Sequence, residues 1–257
     1  MKNYPEPLFF CLILLLLGCA EETLAPPASD TLAEYYPLEL NRPAYYAVDS
    51  VVLVPVLNGT RYDTAHLEAR ETLVETFVGP DGRTVYRGER WERADDTAPW
   101  TFKQTFTVRR AGNTVQRSED NLTFTKLVLP LRTGVTWDGN RAFDDTRDLA
   151  VGPEFLDVYN GWQYGYAATD LSLTLDTGLA LDSVATVAQA NTDNLIDLRQ
   201  AYERYAPGLG RVERYIDARH TQCRTCCGGN TGECVDLAWD QKAEKGIVLH
   251  EVLIRRD

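Results

Sequence analysis

The sequence predicts a mostly β fold, an antiparallel meander forming a sandwich or a curved, partly open barrel. Three observations predict it. Apolar and polar residues alternate with period two, most cleanly from Trp100 to Arg110, where Trp100, Phe102, Phe106 and Val108 oppose Thr101, Lys103, Thr105, Thr107 and Arg109. Short turn signals, such as Gly79-Pro80-Asp81-Gly82 and Ala111-Gly112-Asn113-Thr114, separate the alternating segments. The chain is rich in Thr and holds 13 Tyr but a single Met, at position 1, a bias toward residues that suit a pleated, half-buried surface.

The N-terminus is of another kind. Met1-Lys2 is followed by the apolar run from Leu8 to Leu17. A membrane-spanning helix takes about 20 apolar residues, and this run is far shorter. Its positive start and its length read as the core of a secretory signal, residues 1–18. The run ends in Leu16-Leu17-Gly18-Cys19, which resembles the bacterial lipobox. That resemblance implies cleavage before Cys19 and acylation (palmitate or a similar chain) of its sulfur and new amino group. More than one acyl chain on a residue anchors stably, where one chain holds only marginally. Residues 19–34 then read as the lipidated cysteine and a mobile tether, because Ala, Pro and acidic residues occur there without an apolar period. Glu21-Glu22 resembles the short acidic signal that sends Bacteroidota lipoproteins to the cell surface. The expected location is the bacterial outer membrane, with the domain facing either the periplasm or the outside.

Residues 35–257 form one predicted domain, without an internal repeat. The formal net charge of −12 excludes nucleic acid as an expected partner, since phosphate binding needs clustered Lys and Arg. The plain reading of that charge is solubility. Expected partners are the membrane, through the lipid anchor, and an outer-membrane protein.

Taken in order, His66 to Val78 reads as a strand, and Arg83 to Arg93 as its successor, with Val85, Arg87, Glu89 and Trp91 on one face. Trp100 to Arg110 is the third. Val115 to Leu131 reads as one further strand, with Leu122, Phe124, Leu127 and Leu129 apolar. Strands joined by short turns make a meander. Val158 to Ala167, Leu171 to Leu175 and Ala180 to Ala190 read as strands. Asn194 to Tyr205 fits a strand or a helix by period; the strand is preferred because a turn, Ala206 to Gly210, and the alternating Arg211 to Ala218 follow. Gly246 to Ile254 is a terminal strand.

An ordered set of short pieces resembles a group of uncharacterised Bacteroidota lipoproteins. The pieces are Tyr35-Tyr36-Pro37-Leu38, Tyr45-Tyr46-Ala47-Val48-Asp49-Ser50, Val85-Tyr86, Glu89-Arg90-Trp91, Trp100, Leu127 to Leu131, Thr136 to Asn140 and Tyr205 to Gly210. The resemblance spans residues 35–218 and implies fold class and location only. It assigns no activity to any residue.

Beside Cys11 and Cys19, four cysteines, Cys223, Cys226, Cys227 and Cys234, crowd into the predicted loop 220–235. An exported protein meets an oxidising compartment, so two disulfides are expected. Adjacent Cys226 and Cys227 rarely bond each other, which leaves 223–226 with 227–234, or 223–227 with 226–234. Gly228, Gly229 and Gly232 would let the backbone turn between them. Zinc is the alternative, because Cys-x2-Cys spacing fits tetrahedral thiolate ligation, completed by the fourth Cys or by His220. No cofactor is otherwise expected.

Other sites are weaker. The three histidines, His66, His220 and His250, do not form a metal-helix pattern, and no serine-elbow or nucleotide-binding glycine pattern occurs. Asp138, Asn140, Asp144 and Asp145 place oxygen ligands close in sequence, which makes them calcium candidates in an acidic loop. Trp137, Tyr159, Trp162, Tyr164 and Tyr166 could stack on sugar rings, although period two makes Tyr164 and Tyr166 one packed sheet face. Two functions remain. One is non-catalytic binding or assembly, which includes a carrier with an open apolar half-barrel. The other is an envelope-anchored hydrolase of glycan or peptide. The missing catalytic motifs favour binding.

Overall fold

The computed structural model describes residues 29–224, 232 and 236–257. Twelve strands form one antiparallel sheet: β1 (Ala44–Val56), β2 (Gly59–Val78), β3 (Thr84–Arg93), β4 (Thr101–Ala111), β5 (Thr114–Glu119), β6 (Leu122–Val128), β7 (Thr136–Trp137), β10 (Tyr164–Thr174), β11 (Ala180–Asp193), β12 (Asp197–Ala206), β13 (Gly210–His220) and β14 (Lys245–Arg256). Two short strands, β8 (Leu149–Val151) and β9 (Glu154–Leu156), pair separately. The order β6-β5-β4-β3-β2-β1-β14-β13-β12-β11-β10-β7 is two meanders joined where the terminal strand β14 enters between β1 and β13.

The sandwich is therefore ruled out in favour of the barrel, because one sheet curls until its end strands meet. Along the seam, Thr125 N–H donates to Gly139 O at 2.8 Å, and Trp137 Nε1 donates to Thr125 O at 2.8 Å. The Tyr166 hydroxyl accepts from Val128 N–H at 3.0 Å and donates to Val128 O at 2.7 Å. One phenol thus satisfies both peptide groups of an edge residue that lacks a strand partner there, as a buried backbone requires. Gly139 lies against the Tyr164 ring so closely that a Cβ would enter it.

The segment from Val115 to Leu131 is two strands, not one. Asp120 and Asn121 both have positive φ, 52° and 61°, and make the two-residue turn of a hairpin. Val158 to Gln163 is loop, and the strand begins at Tyr164. The ambiguous Asn194 to Tyr205 is strand β12 from Asp197. Helix α1 (Ser29–Tyr35) occupies residues expected to be tether. Its Leu32 and Tyr35 are buried, which explains why a short helix without a basic last turn persists.

The two ends of the barrel are closed differently. Alternating strand directions place the β12–β13 turn beside α1, and Gly208 N–H donates to Glu34 O. The connection from β7 to β10 covers the other end. Its Val151, Leu156, Val158 and Trp162 enter the same core as Val187, Ala201 and Ile216. A second cluster, around Tyr46, Val184, Val212 and Val252, lies where Leu173, Leu175 and Leu179 of the β10–β11 hairpin fold over the sheet. A short helix, α2 (Trp239–Lys242), precedes β14.

Candidate functional site

The strand alternation that fills the barrel with apolar side chains also carries charge into it. On β2, Ala69, Glu71 and Leu73 share the inward face; on β14, Glu251 stands between Leu249 and Leu253. Arg90 on β3 faces Glu71 across the ladder, and Glu203 on β12 faces Arg214 on β13. Nine charged side chains meet here: Arg90, Arg117, Lys126, Arg211 and Arg214 against Glu71, Glu119, Glu203 and Glu251.

Glu71 is the hub. It accepts from Arg117 at 2.8 and 2.9 Å, and from Arg90 and Arg211 at 3.2 Å each. Arg90 also pairs with Glu251 at 2.7 Å, and Arg117 with Glu119 at 2.8 Å. Lys126 and Glu203 pair at 2.9 Å with side chains 3% and 0% exposed, and Glu203 also accepts from Gln189 and Tyr205. Burial alone would raise every one of these carboxyls. The surrounding cations outweigh it: Glu71, Glu119 and Glu251 are all held low, and Lys126, Arg214 and Arg211 hold Glu203 down to about 2. Lys126 itself is lowered, because burial outweighs Glu203 and Glu119.

This arrangement decides what the interior can do. A general acid needs a carboxyl kept protonated near neutral pH, and these four are kept ionised. The cavity that Glu71, Arg117 and Arg211 line is small, about 40 Å³. Charge fills this part of the interior, where a carrier's half-barrel would present an apolar face. The charged interior had a sequence signal: Glu71, Glu203 and Glu251 each sit at an apolar position of a period-two pattern.

The candidate residues named from sequence fall elsewhere. Cys19, Cys226, Cys227 and Cys234 lie outside the described residues. Cys223 is buried, and its φ is 52°. His220 pairs with Asp197 at 2.8 Å, across the β12–β13 ladder. The calcium candidates do not converge. Asp138 caps Asn140 N–H, the buried Asn140 side chain accepts from Tyr164 Oη at 2.9 Å, and Asp144 bonds the backbone and hydroxyl of Thr146. Among the described residues, no group of three or more His, Cys, Asp or Glu is placed to hold a metal. Trp162, Tyr164 and Tyr166 are buried, with rings packed on Tyr159 and Trp137, and together with Trp137 they line an open pocket of about 790 Å³.

The outer face carries an organised stripe that sequence could not show. Cross-strand register aligns Tyr202, Tyr215, His250, Asp49 and His66 over β12, β13, β14, β1 and β2. Tyr202 and Tyr215 stack at 5.4 Å, and His66 Nδ1 lies 2.5 Å from Asp49. Glu213 bonds His250, Tyr202 and Arg204. Its hydrogen bond raises the His250 pKa.

Exposed apolar side chains occur at both ends of the barrel: Leu40, Phe77 and Val78 at the α1 end, and a larger group at the other. Val56 ends β1 and Leu57 begins the β1–β2 turn, with Leu57 92% exposed. Leu195 and Ile196 form the β11–β12 turn. Phe155 on β9 lies beside the start of β14, where Lys245 Nζ donates to its carbonyl. The strand directions put all three at the barrel end opposite α1.

No family model matches the chain. No curated protein matches it either. A crystal structure from Parabacteroides distasonis, provisionally described as a lipoprotein, aligns over 87% of this chain and 98% of its own at 10% identity and a TM-score of 0.34. At that TM-score the likeness carries no argument about function.

Proposed function

We propose that this protein is a lipid-anchored envelope lipoprotein of the bacterial outer membrane, with a non-catalytic binding or assembly role. In this reading the barrel is a rigid body held at the membrane through Cys19 and α1. It meets a protein partner with its opposite end. The observation that carries the proposal is the polarity of the barrel. The chain enters at the α1 end, while Val56, Leu57, Phe155, Leu195 and Ile196 stand exposed at the other, a larger apolar group than Leu40, Phe77 and Val78 at the α1 end. Exposed apolar groups of this kind mark contact sites when they cluster. The ten residues from Cys19 to Ala28 reach at most about 35 Å when extended, so the α1 end stays near the lipid. The Cys-rich loop also leaves β13 and returns to β14 at the partner end, where paired disulfides would hold it rigid.

The hydrolase alternative gains nothing from the interior, because its carboxylates are neutralised by cations. The test is site-specific photo-cross-linking in the native envelope, with the probe at Leu57 or Leu195 and, for comparison, at the exposed Val78 at the α1 end. Adducts to one envelope protein from Leu57 and Leu195 and not from Val78 are expected. Equal labelling at both ends, or none at Leu57 and Leu195, would overturn the proposal.

A further inference from the structure

The cavity at the α1 end of the barrel has a composition that its own network does not explain. It is lined by Arg42, Arg117, Arg211 and Arg256 against a single carboxylate, Glu71, with Tyr46 alongside. Both Glu71 oxygens are already taken by Arg90, Arg117 and Arg211. The Arg211 side chain is 5% exposed, yet its Nε and Nη1 make no hydrogen bond. Its Nη2 pairs with Glu71 and Glu251, while Glu203 Oε1 lies 3.9 Å from Nη1, beyond bonding distance. Arg256 Nε is likewise unsatisfied. Buried guanidinium donors are costly to leave empty, and a guanidinium has no acceptor function with which to help its neighbours.

We propose that this cavity binds a small monovalent anion, a halide or a lone carboxylate, through Arg211 and Arg256. Size sets the class. A water occupies roughly 10 to 15 Å³ by the same measure, so about 40 Å³ holds the equivalent of three waters. A halide or an acetate fits that space; a phosphate ester does not. Tyr36 and Pro37 also line the cavity, so the bound anion ties the segment after α1 to the barrel wall. Arg256 Nη1 and Nη2 already hold Leu209 O and Pro37 O on the same rim. The site is independent of the partner end described above.

The experiment uses the full chain at constant ionic strength, with sodium chloride or sodium acetate replacing sodium gluconate, whose anion is too large to enter. A thermal midpoint that rises by several degrees and saturates is expected with chloride and with acetate. The rise should be lost in Arg211→Lys, which keeps the charge and loses the fork. If that variant fails to fold, chlorine NMR on the wild type decides. Chloride line broadening that acetate relieves supports the site. Equal midpoints in all three salts, or broadening that acetate does not relieve, would overturn it and leave water as the only occupant.

Discussion

Replacing Lys126 by Met and Glu203 by Gln, singly and together, probes whether the interior charges act as one network. The pair is 2.9 Å apart and almost fully buried. At an effective dielectric constant near 20, that separation corresponds to an attraction of about 6 kcal/mol, set against a desolvation cost of several kcal/mol per ion. Neither single variant should lose the whole amount. Lys126→Met leaves Glu203 with Gln189, Tyr205 and two arginines just under 4 Å away, so a cost of about 3 kcal/mol is expected. Glu203→Gln leaves an ammonium whose remaining neighbours include the like-charged Arg214, Glu119 and the Phe124 ring, and should cost about 3 to 5 kcal/mol. In the double variant neither charge remains, and the Gln side chain still meets Tyr205 and Gln189. It should lie within about 1 kcal/mol of wild type, a coupling well above the ~0.5 kcal/mol expected of independent sites. Urea denaturation with a shared slope measures all three. A double variant that loses the sum of the two singles would refute the reasoning.

Three further outcomes follow from the same structure. Tyr166→Phe should cost about 1 to 3 kcal/mol in urea denaturation, because Val128 loses a donor and an acceptor at once; a loss under ~0.3 kcal/mol would mean that the phenol does not close the seam. Gly139→Ala should destabilise by about 1 to 3 kcal/mol, since the new methyl meets the Tyr164 ring beside the Thr125–Gly139 hydrogen bond; a wild-type thermal midpoint would contradict the close approach. Acid should unfold the barrel steeply. Glu203 is held at about 2 against an ordinary value near 4.3, so its contribution is complete above the ordinary value and is lost as pH falls toward 2. Glu71, Glu119 and Glu251 shift in the same direction and add to it. Circular dichroism with falling pH should show one cooperative loss in that window, and a fold unchanged at pH 2 would contradict the network.

Much of the fold was legible because strand alternation and turn residues are local signals. Trp100 to Arg110 and Gly246 to Ile254 are strands, as their patterns indicate. The break at Asp120-Asn121 was missed because its two-residue turn interrupts an otherwise continuous apolar alternation. Phe102 is 47% exposed although its pattern places it with Phe106, because the pairing shifts by a residue between Arg90 and Trp91. Closure of the sheet was not legible, since it rests on Trp137, Gly139 and Tyr166 meeting β6 across the seam, a matter of curvature. The charge network was only half legible. A Glu between two apolar neighbours is visible in one strand, but its arginine partners come from strands far away in sequence, as with Glu71 and Arg211.

The proposed anchoring is tested most directly by fractionating cells that express wild type and Cys19→Ala, fed with a labelled palmitate. Label on the wild type and its recovery with outer membranes, with neither for Cys19→Ala, is the predicted result. An unlabelled wild type, or a Cys19→Ala protein that still sediments with outer membranes, would contradict the account.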